Sequence, residues 1–556
     1  MNLSSTELRR GALLVSFATV ACLIPFINKA YHIDDTLFIW TAERIQTHPT
    51  DFYGFLANWY GRVMSMAEIN QNPPLTSFFI ALVASCFGWQ EHVLHLAFLL
   101  PALGVTLGVY RLAIHFCARP VLASILALSA PVFMISATNV MSDVLMLAFY
   151  LWAVIFWVQG LEENSFVKLA GGAILIALAG LTKYFGLTAI PLLVVYTLFR
   201  ERMSGRLLAY LSILIFPILI MAGYEMLTRT MYARGLLTEA LSYSLSIASR
   251  DWGRLFDKGL TGLSFTGGCL LPVLLLSPVL WRRRALLVGC IMFVLVAALL
   301  IGRKEVLGLG LFTEGSIRWF LVLQLVAFIG GGLHVLLLTV AELWRSRNAE
   351  MVMLSCWVVG TFIFATFLNW TTNGRSILPM VPPVALIVAR RIDISAVGMK
   401  SVVPALAAGL ILTLSVTWGD YCFADAQRQA ATRIGNELAA SSRTIWFMGH
   451  WGFQYYMEGQ GAKAVDVESS IVRPGEYMVI PENNTNVYHL SRSFQQVKTY
   501  IIETVSVATT MRMPPVGAGF YASVWGPLPF VLGKTEPEKF YLFEKVALVD
   551  MEQSLR

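Results

Sequence analysis

Charged residues and recognisable cofactor motifs are scarce in this sequence. Only 13% of its 556 residues are charged, whereas 57% are hydrophobic and the mean hydropathy is +0.66. A water-soluble chain of this length cannot hide so much apolar surface, so lipid must be the solvent for most of it. The seven cysteines show no CxxC or metal-ligand spacing and give no disulfide framework. A P-loop, a G-x-G-x-x-G turn, a zinc spacing and a nucleophile elbow are all absent, so these motifs support no nucleotide, zinc or serine-hydrolase function.

Long apolar runs predict an all-α polytopic membrane protein with about thirteen transmembrane helices. A helix needs about 20 residues to cross a bilayer, and most of the runs approach that length. Two short runs, 167–182 and 184–199, are expected to be broken or strongly tilted. The predicted spans are 11–28, 93–116, 120–138, 142–159, 167–182, 184–199, 206–228, 263–281, 285–302, 317–340, 350–369, 376–390 and 400–418.

The basic residues set the predicted orientation of these spans. Short loops on one side hold sixteen Lys and Arg residues, and those opposite hold only Lys183, Arg303, Lys304 and Arg375. Because cytoplasmic loops carry the excess of Lys and Arg, the N-terminus is predicted inside and everything after 419 outside. The pI near 9.0 therefore reflects topology, and no nucleic acid partner is expected. The sixteen are Arg9, Arg10, Arg111, Arg119, Lys168, Arg200, Arg202, Arg206, Arg282, Arg283, Arg284, Arg345, Arg347, Arg390, Arg391 and Lys400.

Residues 74–88 are apolar but short, and a full span there would invert every later loop. We expect a re-entrant or interfacial helix on the outer side, with its ends covered by protein. The predicted domains are then a transmembrane module, 1–419, with outer loops 29–92 and 229–262, and a small soluble α/β domain, 420–556. In that domain a polar helix precedes strand-like runs at Thr444–Met448, Tyr477–Ile480, Tyr500–Val507 and Phe540–Val546.

An acidic pair, Asp34-Asp35, opens the first outer loop. Adjacent residues on a helix point about 100° apart, so only one carboxylate can face a given reacting atom. A carboxylate shielded from bulk water can serve as general base for a hydroxyl nucleophile. The alternative is that the pair only caps the following helix, since Asp is a favourable N-cap residue.

Three more ionisable residues lie at the outer ends of predicted spans. Asp143 follows Ser142 at the start of one span, Lys183 lies between two apolar runs, and Arg375 precedes a proline-rich segment. Ionisable residues at such depth usually face a cavity or a partner. Lysine suits a lipid phosphate as a point charge, and arginine binds phosphate bidentately. The alternative for Lys183 is a snorkelling anchor.

The order of these motifs resembles that of the GT-C superfamily of membrane glycosyltransferases, specifically the bacterial relatives of protein O-mannosyltransferases and of the lipid A aminoarabinose transferase. The resemblance runs from Asp34 to about Pro383 and continues more loosely into the tail. Asn72 is a departure, because the family often has His or Lys before Pro-Pro-Leu. The motifs are Asp34-Asp35, Asn72-Pro-Pro-Leu75, Asp143-Val-Leu, Leu181-Thr-Lys183-Tyr-Phe-Gly186 followed by Pro191, and Arg375-Ser-Ile-Leu-Pro379-Met-Val-Pro382.

The resemblance implies a GT-C fold and an inverting glycosyl transfer from a polyprenyl-phosphate sugar donor to an acceptor hydroxyl at the outer face of a bacterial inner membrane. Asp34 would be the general base and Asp35 would share the catalytic site. Asp143, Lys183, Arg375 and Asn72 would bind substrate. The acceptor, a lipid, glycan or protein, stays open. A divalent metal also stays open. The sequence shows no metal-ligand spacing, and Asn72 stands where the family often has His or Lys.

Two other function classes fit part of the pattern. A transporter or flippase of lipid-linked sugars predicts charges near the bilayer midplane and paired broken helices. The charges here cluster at the outer rim instead. A membrane anchor for a glycan-binding tail domain would need far fewer spans than thirteen.

Overall fold

The computed structural model describes residues 4–201, 205–250, 255–395 and 397–546. The side chains of residues 245 and 247–250 and the predicted cytoplasmic Arg202 lie outside the described part. The chain is mostly helical, and a small strand-containing domain lies near its C-terminus. The architecture predicted from the apolar runs and the tail is therefore confirmed.

The membrane module consists of helices of very different length. A capping box at Ser4 and Glu7 begins the first of them. The longer helices are Ser5–Leu23, Asp35–Thr47, Leu75–Phe87, Glu91–Phe116, Pro120–Leu128, Pro131–Ala137, Ser142–Glu162, Phe166–Thr182, Ala189–Arg200, Leu207–Ile213, Ile215–Tyr232, Leu236–Arg250, Leu255–Cys269, Arg283–Arg303, Trp319–Arg345, Ala349–Ile363, Val381–Ile394 and Met399–Leu438. Short helical turns are Ile24–Phe26, Met66–Ile69, Tyr184–Thr188, Leu271–Leu275, Ser277–Leu280, Phe364–Leu368, Gly374–Ile377 and Leu378–Met380.

Within the described residues, eight helices are long and apolar enough to span a membrane, or nine if one bent pair counts as a single span. That pair, Pro120–Leu128 and Pro131–Ala137, bends by 68° at residues 129–130, because Pro131 cannot continue the preceding hydrogen-bond ladder. Four other predicted spans fall on shorter or interrupted helices: 167–182, 184–199, 263–281 and 376–390. The count of thirteen stays a prediction.

The Arg283–Arg303 helix shows most directly that lipid surrounds the module. Its hydropathy is the highest of the eight, yet almost none of it is buried inside the protein. Leu287, Val288, Ile291 and Val294 are all largely exposed. Such an apolar surface is stable only against lipid tails.

Residues 74–88 form a helix, Leu75–Phe87, that packs on the Asp35–Thr47 helix. Thirteen residues extend only about 20 Å, which is too short to cross a bilayer unaided. Gln46 donates to the carbonyl of Ala81 at 3.2 Å and joins the two helices. The short helix is present as expected, and its re-entrant or interfacial position on the outer side stays a prediction.

A single helix, Met399–Leu438, runs from the membrane module into the C-terminal domain. Its last turns pack with the Trp451–Gly459 helix on a five-stranded sheet, and they share a small core that contains Phe447, Phe453 and Phe540. The sheet order is Phe494–Ile502, Glu538–Lys545, Tyr477–Pro481, Ile445–Phe447, Lys463–Ala464. The first three strands pair antiparallel, and the fourth pairs parallel with both of its neighbours. The third predicted run, 500–507, was placed too late, since its strand ends at Ile502.

The buried apolar side chains of residues 508–531 belong to the core of the membrane module rather than to the small core beside this sheet. Phe530 meets Phe328 edge-on, with 5.0 Å between ring centroids, and Gln324 bonds to the backbone of Leu532. Two-stranded ladders organise this segment: Ala508–Thr509 with Val531–Leu532, and Met511–Arg512 with Ala518–Gly519. Other two-stranded ladders occur at Leu56–Asn58 with Val63–Ser65, Glu305–Val306 with Leu309–Gly310, and Phe312–Thr313 with Ser316–Ile317. The C-terminal part of the chain thereby reaches the predicted outer-loop residues of the candidate site.

Candidate functional site

The turn that begins the Asp35–Thr47 helix leaves the Asp34 carboxylate available. Asp34 occupies the N-cap position, yet its side chain makes no capping hydrogen bond. It contacts the Arg375 guanidinium at 2.8 Å through Oδ2, and its side chain is 30% exposed. The carboxylate therefore faces a cation and open space rather than the end of its own helix.

Asp35 lies in the opposite environment. Its two carboxylate oxygens accept hydrogen bonds from the backbone N–H groups of His32 and Val140, both at 2.8 Å. The side chain is completely buried, and this burial raises the pKa of Asp35 to about 7, against the opposite influence of Lys29 and the two backbone bonds. Asp35 therefore joins the loop to the segment before the Ser142–Glu162 helix.

Arg375 bridges Asp34 to a second acidic residue, Asp143. Its other terminal nitrogen lies 3.9 Å from the Asp143 carboxylate, and the ammonium of Lys183 lies 2.5 Å from the same carboxylate. Burial acts to lower the pKa of Arg375, but the two carboxylates outweigh it and hold that pKa above its ordinary value. Four residues predicted from the sequence thus form one continuous chain of ion pairs, in the order Asp34, Arg375, Asp143, Lys183.

Local structure explains why each charge is tolerated. Asp143 lies in the first turn of its helix and Lys183 just after the last turn of the Phe166–Thr182 helix, so each has the sign that the helix dipole favours. Arg375 lies on a short helix capped by Asn373, whose Oδ1 accepts from the Ser376 N–H at 2.8 Å. Asp143 is almost fully buried, whereas Lys183 is 25% exposed.

Asn72 is not part of this chain of ion pairs. Its side chain bonds to Asn70 at 3.1 Å, and its carbonyl accepts from the hydroxyl of Tyr53. Tyr53 in turn packs on Tyr232. Among the described residues these contacts place Asn72 beside an aromatic cluster of the predicted outer loop, and its role in substrate binding stays a prediction.

A second group of charges, which the sequence analysis did not identify, includes Lys29, five residues before Asp34 in the same loop. The ammonium of Lys29 contacts Asp420 at 2.5 Å and donates to Asn139 at 2.6 Å. Asp420 also accepts hydrogen bonds from Thr510 at 2.7 Å and from Tyr521 at 2.8 Å. All five side chains are buried, and Lys29 and Asp420 have no exposed surface at all. A buried ion pair needs such supporting hydrogen bonds to offset the desolvation of both charges.

Tyr521 connects the two groups of charges. Its hydroxyl donates to Asp420 and accepts from the Asn139 amide at 2.9 Å. Its ring lies 5.8 Å from the guanidinium carbon of Arg375, within the range of a cation–π contact. One side chain from the C-terminal region therefore touches both the Arg375 cation and the buried Lys29–Asp420 pair.

The sequence carried a weak signal for this second group. Lys29 and Asp420 are isolated ionisable residues at the ends of the first and last apolar runs, where an unpaired charge is unfavourable. Tyr521 carries no comparable signal, because one aromatic residue in a tail segment resembles any core residue.

The residues present do not favour a divalent cation at Asp34 and Asp143. No three His, Cys, Asp or Glu residues in the described part are grouped as metal ligands. The carboxylates that a metal would need already contact Arg375 and Lys183. A cation added between them would meet two fixed positive charges.

Comparison with protein families gives one match within this chain. Residues 71–224 match the model of the family described as dolichyl-phosphate-mannose-protein mannosyltransferase. That segment contains Asn72, Asp143 and Lys183, whereas Asp34 and Arg375 lie outside it. The resemblance indicated by the motifs is therefore confirmed over this segment. A comparison with curated proteins gives no match.

Several solved structures are similar in fold at low identity. The oligosaccharyltransferase of Archaeoglobus fulgidus tethered with an acceptor peptide is 13% identical with a TM-score of 0.48, and the match covers 83% of this chain and 64% of that one. ArnT from Cupriavidus metallidurans in the apo state is 15% identical with a TM-score of 0.37, with 84% and 92% covered. The mycobacterial arabinofuranosyltransferase AftD is 12% identical with a TM-score of 0.38, with 98% and 40% covered. This chain thus spans less than two thirds of the length of the oligosaccharyltransferase.

Proposed function

We propose that this chain is a membrane glycosyltransferase that moves a sugar from a polyprenyl-phosphate donor to an acceptor hydroxyl, with inversion, at the outer face of a bacterial inner membrane. The observation that carries the proposal is the chain of ion pairs from Asp34 through Arg375 and Asp143 to Lys183. It joins an accessible carboxylate to two cations at the rim of the membrane module. This is the combination needed to deprotonate a hydroxyl and stabilise a departing phosphate.

Asp34 is the general base in this proposal. Arg375 holds one of its carboxylate oxygens, and the other is free to accept the proton of the acceptor hydroxyl. The hydroxyl oxygen then bonds to the anomeric carbon from the face opposite the leaving group. The bond between that carbon and the phosphate oxygen breaks, and the phosphate leaves with the electron pair.

Lys183 and Arg375 stabilise the negative charge that develops on the phosphate. Both are partly exposed, and Lys183 has ammonium hydrogens beyond the one directed at Asp143. Asp143 orients both cations by lying between them. Asp35 acts at a distance from the reacting atoms, because its two oxygens already accept backbone hydrogen bonds inside the protein.

The transporter alternative receives less support. It needs broken helices in corresponding positions of two halves, and one bent pair meets the length and hydropathy test among the described helices. The ionisable residues of the site lie at helix ends, as they would for a substrate that binds at the membrane surface.

The test is a turnover assay with purified protein and a panel of polyprenyl-phosphate sugars, in which release of the polyprenyl phosphate is followed. Asp34→Asn keeps the size of the side chain but cannot take a proton, so turnover should fall by about 10²–10⁴-fold. Asp51→Asn is the matched control, since Asp51 lies in the same outer loop and pairs with Arg44 at 2.7 Å, away from the site.

Variants of the other two carboxylates, Asp35 and Asp143, distinguish a misassigned general base from a wrong proposed function. If Asp34→Asn turns over normally while Asp35→Asn or Asp143→Asn is inactive, the base is misassigned and the enzyme class stands. If all three variants keep full activity, the catalytic proposal fails. Release of sugar without any need for an acceptor hydroxyl would contradict the transfer step.

A further inference from the structure

The backbone that presents Asp34 is held in an unfavourable conformation. Ile33, the preceding residue, has φ = 46°, in the left-handed region that β-branched residues avoid. It is nevertheless almost fully buried. A residue keeps such a conformation only where the surrounding contacts determine it, so the neighbours of the loop 29–35 must fix its shape.

Many of those neighbours come from the C-terminal region. The hydroxyl oxygen of Tyr456 accepts a hydrogen bond from the Tyr31 N–H at 2.8 Å, and the same hydroxyl donates to the Glu91 carboxylate at 3.0 Å. Gly452 lies so close to the loop that a Cβ atom there would fall 1.9 Å from the carbonyl oxygen of Tyr31. These contacts hold the middle of the loop, three residues before Asp34.

Asp420 contacts the same stretch at two positions, Lys29 and His32. It pairs with Lys29 at 2.5 Å and lies 3.6 Å from the ring of His32, and both contacts are fully buried. The His32 ring also meets the Tyr521 ring edge-on, with 5.3 Å between centroids. Burial lowers the pKa of His32, so the neutral ring is favoured in this packing.

The C-terminal region also contacts the segment that carries Arg375. The N–H of Gly374 donates to the carbonyl of Phe520 at 2.7 Å, and the Ser523 N–H donates to the carbonyl of Thr372 at 2.8 Å. Tyr521 lies between these two backbone bonds and places its ring beside the guanidinium. Arg375 and Asp34 are thus both fixed by residues that follow position 419.

We infer that the C-terminal region positions the catalytic pair, with Asp420 and Tyr521 as the positioning residues that set the distance between Asp34 and Arg375. The expected effect on kcat rests on the proposed function, whereas the restraint of the loop 29–35 does not depend on it. Neither residue touches the reacting atoms. Asp420 acts through Lys29 and the loop, and Tyr521 acts through Arg375. The C-terminal region is therefore part of the site rather than an independent appendage.

A paired replacement separates positioning from mere stability. Asp420→Leu alone leaves the Lys29 charge buried without its counter-charge, and both the melting temperature and kcat should fall. Adding Lys29→Met removes that charge, and replacing both partners of a buried pair by apolar residues is often neutral for stability. The double variant should therefore regain its melting temperature, while its kcat stays about 10- to 100-fold low, as a displaced catalytic group predicts. A double variant with restored stability and wild-type kcat would overturn the role of Asp420.

Tyr521→Phe tests the other contact without removing the ring. It deletes the hydrogen bonds to Asp420 and Asn139, and kcat should fall about tenfold or more with the donor KM within about threefold of wild type. Tyr541→Phe is the matched control, since the Tyr541 hydroxyl, on the strand Glu538–Lys545, also donates to a carboxylate, that of Glu482 at 2.7 Å. Wild-type kcat in Tyr521→Phe would overturn the role of Tyr521.

Hydrogen exchange gives a measure that needs no activity. Backbone amides of residues 29–35 should exchange faster in both the double variant and Tyr521→Phe than in wild type or Tyr541→Phe. If the variants exchange faster but the wild-type protein releases no polyprenyl phosphate, the restraint of the loop is supported and the proposed function is rejected. Unchanged exchange together with unchanged kcat would reject the inference and leave the proposed function standing.

Discussion

Lys183 offers the most direct test of the phosphate site. Its ammonium group contacts Asp143 at 2.5 Å, and its side chain is 25% exposed at the end of the Phe166–Thr182 helix. An ammonium group has three donor hydrogens. One is directed at Asp143, which leaves donors for a phosphate that arrives from the membrane rim. We predict that Lys183→Ala weakens the binding of undecaprenyl phosphate.

The size of the effect follows from the contact that is lost. A hydrogen bond to a charged group contributes about 1.5–3 kcal/mol. Since about 1.4 kcal/mol corresponds to a tenfold change in affinity, the Kd should rise by about 10- to 150-fold. Arg375 remains available to the phosphate, so binding should weaken rather than vanish.

The substitution also removes the partner of a buried carboxylate. Arg375, 3.9 Å from Asp143, compensates for part of this loss. The free energy of unfolding should still fall, by less than the roughly 3–5 kcal/mol typical of a fully buried pair. The double variant Lys183→Ala/Asp143→Asn removes the uncompensated charge and should regain stability, while its affinity for the phosphate stays low.

The assay is equilibrium binding of undecaprenyl phosphate to purified protein, with thermal unfolding of each variant measured in parallel. Lys168→Ala is the control, because Lys168 lies on the same helix about 22 Å away and contacts Glu163 at the predicted cytoplasmic end. If Lys183→Ala folds and binds as tightly as wild type, Lys183 is only a snorkelling anchor and the phosphate site is misplaced.

Three further predictions concern topology, pH dependence and packing. A reporter that needs export should be active when fused after Arg556, and a cytoplasmic reporter should be active near Arg284; a cytoplasmic C-terminus would refute the outer-face site and mean that residues 74–88 span. Burial raises the pKa of Asp35 to about 7 from an ordinary 3.8, so its contribution to stability is present below about pH 4 and is lost as pH rises through about 7. Asp35→Asn should therefore make the melting temperature less dependent on pH across that window. The same pH dependence in Asp35→Asn and wild type would contradict this. Gly332→Ala places a Cβ atom 2.1 Å from the carbonyl oxygen of Leu263 and should cost about 1–3 kcal/mol in an unfolding assay, whereas Gly289→Ala, with open space around it, should cost nothing; equal stability of the two variants would disprove close helix packing.

The membrane character and the four residues of the chain of ion pairs could be predicted from the sequence, whereas the pairing between them could not. Apolar length and the shortage of charge leave lipid as the only solvent, so the helical architecture follows from local composition. Asp34, Asp143, Lys183 and Arg375 stood out because a charge at the end of an apolar run needs a reason. The structure brings all four together in one chain of contacts, and their roles in catalysis and substrate binding stay predictions.

The ends of helices and strands were harder to predict from the sequence. A change of composition near residue 419 suggested the end of a span, but helical hydrogen bonding continues through it to Leu438. Helix formation depends on backbone geometry and propensity, and these do not change where the surroundings change from lipid to water. The strand predicted at 500–507 was displaced for a related reason, since the partner strand Glu538–Lys545 sets where pairing stops.

What the sequence by itself determined is therefore the membrane character, the helical class and the identity of the charges at the ends of the apolar runs. The different environments of Asp34 and Asp35 were decided only by tertiary structure, since adjacent identical residues carry no local information about burial. The same holds for the pairing of Lys29 with Asp420, which are 391 positions apart, and for the approach of Tyr521 to Arg375. Contacts at such separation arise from the packing of whole helices, because no short-range pattern relates the two partners before the chain has folded.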